Sequence, residues 1–260
     1  MLTQTTIKFR KPLSIYAKIN RLALAALLLL SQGSAAAVRP QVAIVIDDLL
    51  RSPTTYQALF NIPVSLNFAV IPGFENSVTL DRQISALGQD VLVHFPMQTT
   101  SHPLKHYTFK LDAGMDANEI RYNLLQAFKQ VPHAVGLNNH MGSNATHNRK
   151  TMQLFMTCYR AVNQQLQRED RFFLDSRTIG NTQAALAAKD VGLRTFSRNV
   201  FLDGEDNDAY VHQQLQKLIA IAKQSGFAVG ICHPRPHTIR VLVRELPELR
   251  RFVSSRAASN

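Results

Sequence analysis

Tryptophan is absent from this 260-residue chain, cysteine occurs only twice, and acidic residues are outnumbered, 18 against 29 lysines and arginines. Two cysteines cannot build a disulfide scaffold or supply the spaced Cys sets of a structural zinc module. Neither the G-x-G-x-x-G nor the Walker pattern occurs, so no nucleotide cofactor is indicated, and the G-x-S-x-G nucleophile elbow is missing too. Ser143 and Ser176 thus carry no motif that would single them out as nucleophiles. What the chain does have is 45% hydrophobic residues, enough for a sizeable core, and a formal charge of +11. Taken alone, that charge points to nucleic acid or an anionic membrane.

The positions of the charges alter this expectation. The first 21 residues hold Lys8, Arg10, Lys11, Lys18 and Arg21 with no acid, and they lead into an apolar run at 22–30. A bilayer-spanning helix needs about 20 residues, so this run is too short and instead matches the core of a secretory signal. Ala35, Ala36 and Ala37 then offer a cleavage site. Residues 1–37 are expected to be a secretory signal peptide, 38–252 a single domain and 253–260 a tail; an uncleaved anchor is the alternative. Cleavage would remove five positive charges and leave 24 basic against 18 acidic residues, a net of +6. The product is expected in the periplasm or outside the cell, soluble and without a transmembrane helix. Arg240, Arg244, Arg250, Arg251 and Arg256 fall beyond the last expected strand, and no basic-aromatic stripe supports nucleic-acid binding. After export, Cys158 and Cys232 either pair or remain as buried thiols.

Seven short apolar or β-branched runs recur along the rest of the chain, at 42–46, 64–70, 91–93, 134–137, 172–174, 194–202 and 227–232. Helix-like stretches lie between them at 53–61, 75–87, 116–130, 149–168, 182–190 and 209–224, the last with the three-to-four apolar spacing of an amphipathic helix. Alternating strands and helices predict parallel βαβ units, hence the α/β class. Six of the seven runs end in Asp, His or Asn-His. A closed barrel gathers functional groups from the carboxyl ends of many strands, whereas an open sheet concentrates them at a switch point. The expected fold is therefore a distorted or incomplete (β/α) barrel of about seven parallel strands.

Asp47 and Asp48 follow the first run, and adjacent carboxylates at a strand end let one bind a cation while the other serves as a base. His94 and His140 end the third and fourth runs, on neighbouring strands about 5 Å apart. With Asp48 they would give three ligands to a divalent metal, zinc being the expected one, and leave a position for water. Asp175 and His233 end the fifth and seventh runs. His102 and His106 have the spacing of a helical ligand pair, but their loop has no helical pattern, and they are expected to be solvated or to line a substrate path.

These strand-end strings resemble a known family. Ala43-Ile-Val-Ile-Asp-Asp48, Val93-His-Phe-Pro-Met97, Val135-Gly-Leu-Asn-Asn-His-Met-Gly-Ser143, Phe173-Leu-Asp-Ser-Arg-Thr178, Arg198-Asn-Val-Phe-Leu-Asp203 and His233-Pro-Arg-Pro236 are similar to divergent polysaccharide deacetylases. The similarity runs from about residue 41 to 249. That family is a branch of the carbohydrate esterases with a distorted barrel. The resemblance implies Asp47 as base, Asp48 and His94 as metal ligands, and His233 as general acid with Asp175 to orient it. The wider superfamily places its second histidine four residues after the first, where this chain has Gln98, so His140 becomes the candidate for that ligand. Asn138, Asn139, Arg177 and Arg198 lie in the same strings and are expected to bind substrate. Two functions follow: a metal-dependent hydrolase acting on acetyl groups of an envelope polysaccharide or peptidoglycan-like glycan, or a non-catalytic barrel that binds a glycan or an envelope protein.

Overall fold

The computed structural model describes residues 39–253; the expected signal peptide at 1–37 and residues 254–260 of the expected tail lie outside them. Eight strands form one sheet in the order β6-β5-β4-β3-β2-β1-β8-β7, and every pairing is parallel. They are β1 (Gln41–Leu49), β2 (Asn67–Val70), β3 (Asp90–Met97), β4 (Gly136–Met141), β5 (Phe172–Asp175), β6 (Thr195–Ser197), β7 (Val200–Phe201) and β8 (Phe227–Cys232). Parallel neighbours need long crossovers, and the helices Ser77–Ala86, Ala117–Gln130, Arg149–Gln165, Ala184–Asp190 and Asp208–Ser225 supply them. The α/β barrel expectation holds. None of the helices among the described residues is long and apolar enough to cross a membrane.

The run at 194–202, expected as one strand, is divided. Its first part is β6 at one edge of the sheet and its second part is β7 at the other. Arg198 donates its backbone N–H to Asp175 O at 2.9 Å, and the next residue, Asn199, donates to Val229 O at 2.9 Å. One segment thus touches both edges within two residues, which curls the sheet into an incomplete barrel.

Side-chain alternation sets what faces the barrel interior. On β1, Val42, Ile44 and Ile46 belong to the large core shared with the helices, whereas Val45 joins a smaller cluster with Ala69, Leu92, Leu174, Val229 and Ile231. Successive residues of a strand point to opposite faces, so this inner set continues in step to Asp47, His94, Ser176 and His233. Asp48 breaks the step. Its φ is 63°, and the pairing of β1 with β2 shifts between Ile46 and Leu49, so that Leu49 rejoins the outer core one residue late. The bulge turns the Asp48 carboxylate inward beside Asp47.

Arg240 and Arg244, beyond the last expected strand, lie in a helix, Pro236–Arg244, where Arg240 bonds Asp208 at 2.7 Å. Cys158 and Cys232 are both buried and free, so no disulfide joins them.

Candidate active site

Asp47, Asp48, His94, Asn139, His140, Arg177, Arg198 and His233 line one cavity of about 460 Å³ at the carboxyl ends of the strands, together with Ser176 and Phe201. At its centre Asp48 Oδ1 stands 3.1 Å from His94 Nε2 and 2.9 Å from His140 Nδ1, and the two ring nitrogens are 3.1 Å apart. Ligands at about 2.0–2.1 Å around a tetrahedral ion stand roughly 3.4 Å from one another, so this triangle is only slightly contracted from such a geometry. Lone pairs on two nitrogens and a carboxylate oxygen repel each other at these distances unless a proton or cation lies among them. The donor set therefore fits a divalent ion.

The other nitrogen of each histidine is held. Asn138 donates its Nδ2 to Asp47 Oδ1 at 2.9 Å and to Ser176 Oγ at 3.2 Å, which leaves its Oδ1 facing His94 Nδ1 at 2.9 Å. An amide oxygen can only accept, so His94 carries a proton on Nδ1; Nε2, which faces Asp48 and holds a proton there while the ring is charged, would offer its lone pair to a bound ion once that proton has left. His140 Nε2 meets the Tyr107 hydroxyl at 2.8 Å.

Electrostatics divide the titratable groups. Burial raises Asp47, although His94 opposes it. Burial also acts to raise Asp48, but hydrogen bonds from His140 and His94 outweigh it and hold the carboxyl well below its usual range. Burial lowers His94, and the charge of Asp47 with the hydrogen bond to Asp48 more than offsets that, so it ends raised. His140 ends lowered, chiefly by burial. The pair thus favours one positive charge over two.

Residues 44–255 match the family model for divergent polysaccharide deacetylases. The chain belongs to that family. It is 39% identical over 224 residues to the uncharacterized protein YibQ of Escherichia coli K12, covering 86% of this chain but 66% of that protein. An uncharacterized protein of Haemophilus influenzae Rd is 38% identical over 211 residues, 80% of this chain and 72% of its own length. Among solved structures, the uncharacterized protein ATU2773 of Agrobacterium tumefaciens C58 superposes with a TM-score of 0.71 at 20% identity, over 81% of this chain and 84% of that one. That likeness shows the fold.

Within this divergent deacetylase barrel, three expected residues have partners other than those the sequence suggested. Asp175 does not orient His233. It follows Leu174 of the inner cluster by one residue and so points outward, where Oδ1 accepts the Arg177 N–H at 2.9 Å. The residue that holds His233 is Asp203, fully buried, whose Oδ1 lies 3.1 Å from His233 Nδ1 and whose Oδ2 accepts the His233 backbone N–H at 2.7 Å. Asn138 and Asn139 engage the protein itself rather than offering free amides to a substrate: Asn139 Nδ2 donates to Met141 O at 2.8 Å and its Oδ1 accepts Ser176 N–H at 2.8 Å. Gln98 lies about 13 Å along an extended chain from His94. Its Oε1 accepts from Asn144 Nδ2 at 2.9 Å, outside the donor triangle.

Tyr107 and Asp203 went unassigned at the sequence level. Asp203 does end an apolar run, a signal equal to that of Asp175. Tyr107 lies in the loop between β3 and the next helix, which shows no periodicity.

Proposed function

We propose that this chain is an exported, divalent-metal-dependent deacetylase that removes acetyl groups from an envelope glycan. The observation that carries it is the convergence of Asp48, His94 and His140 beside Asp47 and His233 in one cavity, in a chain of a polysaccharide deacetylase family. A divalent ion such as zinc, when bound by those three, supplies carbonyl polarisation and a lowered pKa for water. Asp47, kept basic enough to hold a proton by burial, takes one from the attacking water. His233 gives a proton to the departing nitrogen or oxygen as the acyl bond breaks, and acetate is released. Phe201 offers a ring face for a sugar, and Arg177 and Arg198 line the cavity beside it. Export is supported by the basic and apolar pattern of residues 1–37. Gln98, at the place of the superfamily's second histidine, bonds Asn144 and stands apart from the donor set, in which His140 supplies the second imidazole.

Elemental analysis of protein purified without a metal-binding tag, paired with acetate release from acetylated glycans, tests the proposal. The parent protein is expected to hold a stoichiometric ion that Asp48→Ala and His140→Ala lose. Asp47→Asn is expected to keep the ion and lose turnover by about 10²-fold or more. Absence of an ion from the parent, or full acetate release by Asp47→Asn, would sink the proposal.

A further inference from the structure

The wall of the cavity built by β5, β6 and β7 is cationic. Arg177 and Arg198 both line it, and among the described residues no carboxylate hydrogen-bonds either guanidinium. Arg198 is fixed in place: Nε donates to Ser176 O at 2.6 Å, Nη2 to Arg177 O at 2.8 Å, and the group lies over the Phe201 ring, 5.0 Å from its centre. Those bonds occupy one edge of the planar fork and leave the Nη1 protons without an acceptor among the described residues. The carboxylates of the cavity, Asp47 and Asp48, are engaged with His94, His140 and Asn138.

Arg177 is held there under strain. Four non-glycine residues have positive φ among the described residues, and three of them, Asp48, Met141 and Arg177, line this cavity. Arg177, at 48°, occupies a region that a long side chain rarely adopts without a use for it. Its N–H bond to Asp175 Oδ1 keeps the turn in this form. Burial and the neighbouring Arg177 both disfavour the charge on Arg198, and Asp175 and Asp47 offset them only in part.

We propose that the substrate glycan carries a carboxylate on the acetylated sugar or the one next to it, and that Arg177 and Arg198 bind this group. The inference rests on the deacetylase function proposed above. A carboxylate matches the planar fork, which takes two of its oxygens at once. Phe201 lies under Arg198 and can stack against the same sugar ring.

The test uses two polymers with the full chain: an O-acetylated polyuronic acid, and its carboxyl-reduced counterpart re-acetylated to the same acetyl content. Binding is measured by calorimetry and turnover by acetate release. The parent protein is expected to bind the acidic polymer at least about tenfold more tightly, the effect of charge-assisted bonds. Arg177→Gln is expected to bring the ratio close to one, mainly through KM, and Arg177→Lys to restore part of it. Equal binding of the two polymers by the parent, no binding of the acidic one, or a ratio that Arg177→Gln leaves unchanged overturns the proposal. If the acidic polymer binds through Arg177 but neither polymer loses acetate, the carboxylate site stands and the deacetylase function fails. If both polymers are deacetylated equally, the reverse holds.

Discussion

Asp203 presents one oxygen to the His233 ring and the other to the His233 N–H and to Thr238 Oγ1, at 3.2 Å. Burial pulls His233 down, but the Asp203 hydrogen bond and the charges of Asp48, Asp203 and Asp47 raise it further than burial lowers it. A proton donor works only while protonated. Asp203→Asn removes the partner of the imidazolium, so His233 loses its proton at lower pH. The alkaline limb of the kcat/KM profile is therefore expected to move to lower pH, as a pH–rate series on the variant would show; an unmoved limb would exclude His233 as the donor. At this scale the sequence marked which strand ends carry Asp or His but not which way each points. Asp175 and Asp203 both end apolar runs, and the inner and outer faces are separated by a single residue of alternation. Asp48 is the harder case, because its inward turn depends on a left-handed residue that no pattern of side chains announces.

Strand β4 carries His140 and Asn138, and its first residue is a glycine for a physical reason. A Cβ at Gly136 would stand 2.8 Å from the backbone oxygen of Phe172 on β5, which cannot move aside without parting the two strands. Gly136→Ala is expected to cost about 1–3 kcal/mol, measured by urea unfolding, with the melting temperature falling about 2–4 °C per kcal/mol. An unchanged midpoint would mean that β4 and β5 adjust freely. Most elements were legible, since buried parallel strands read as apolar runs and the Asp116 capping box marks the start of the helix Ala117–Gln130. β3 runs on to Met97, beyond the expected 91–93, because Phe95 and Met97 pack in the outer core while His94 turns inward. The run at 194–202 is broken by the polar residues Ser197, Arg198 and Asn199, and there its halves part to opposite edges of the sheet, a division that a single expected strand did not contain.

For the molecule as a whole, the two cysteines contribute no crosslink. Burial raises both thiols, Cys232 well above its usual value, which keeps them from the reactive thiolate form. Reductant is expected to leave the melting temperature unchanged, and a thiol reagent to modify neither cysteine until unfolding exposes both; rapid labelling of the native protein would contradict this burial. The charge of +11 also divides by region, with five positive charges in the expected export segment and Arg240 and Arg244 bonded to acids of the barrel. The seam of the barrel has one further effect. The strands that would otherwise be open edges, β6 and β7, are three and two residues long and belong to the same stretch of chain. Neither presents a row of free N–H and C=O groups long enough to recruit a strand from another molecule. The fold therefore carries its own protection against edge-to-edge aggregation in a crowded compartment, and that protection resides in the two residues, Arg198 and Asn199, that join one side of the sheet to the other.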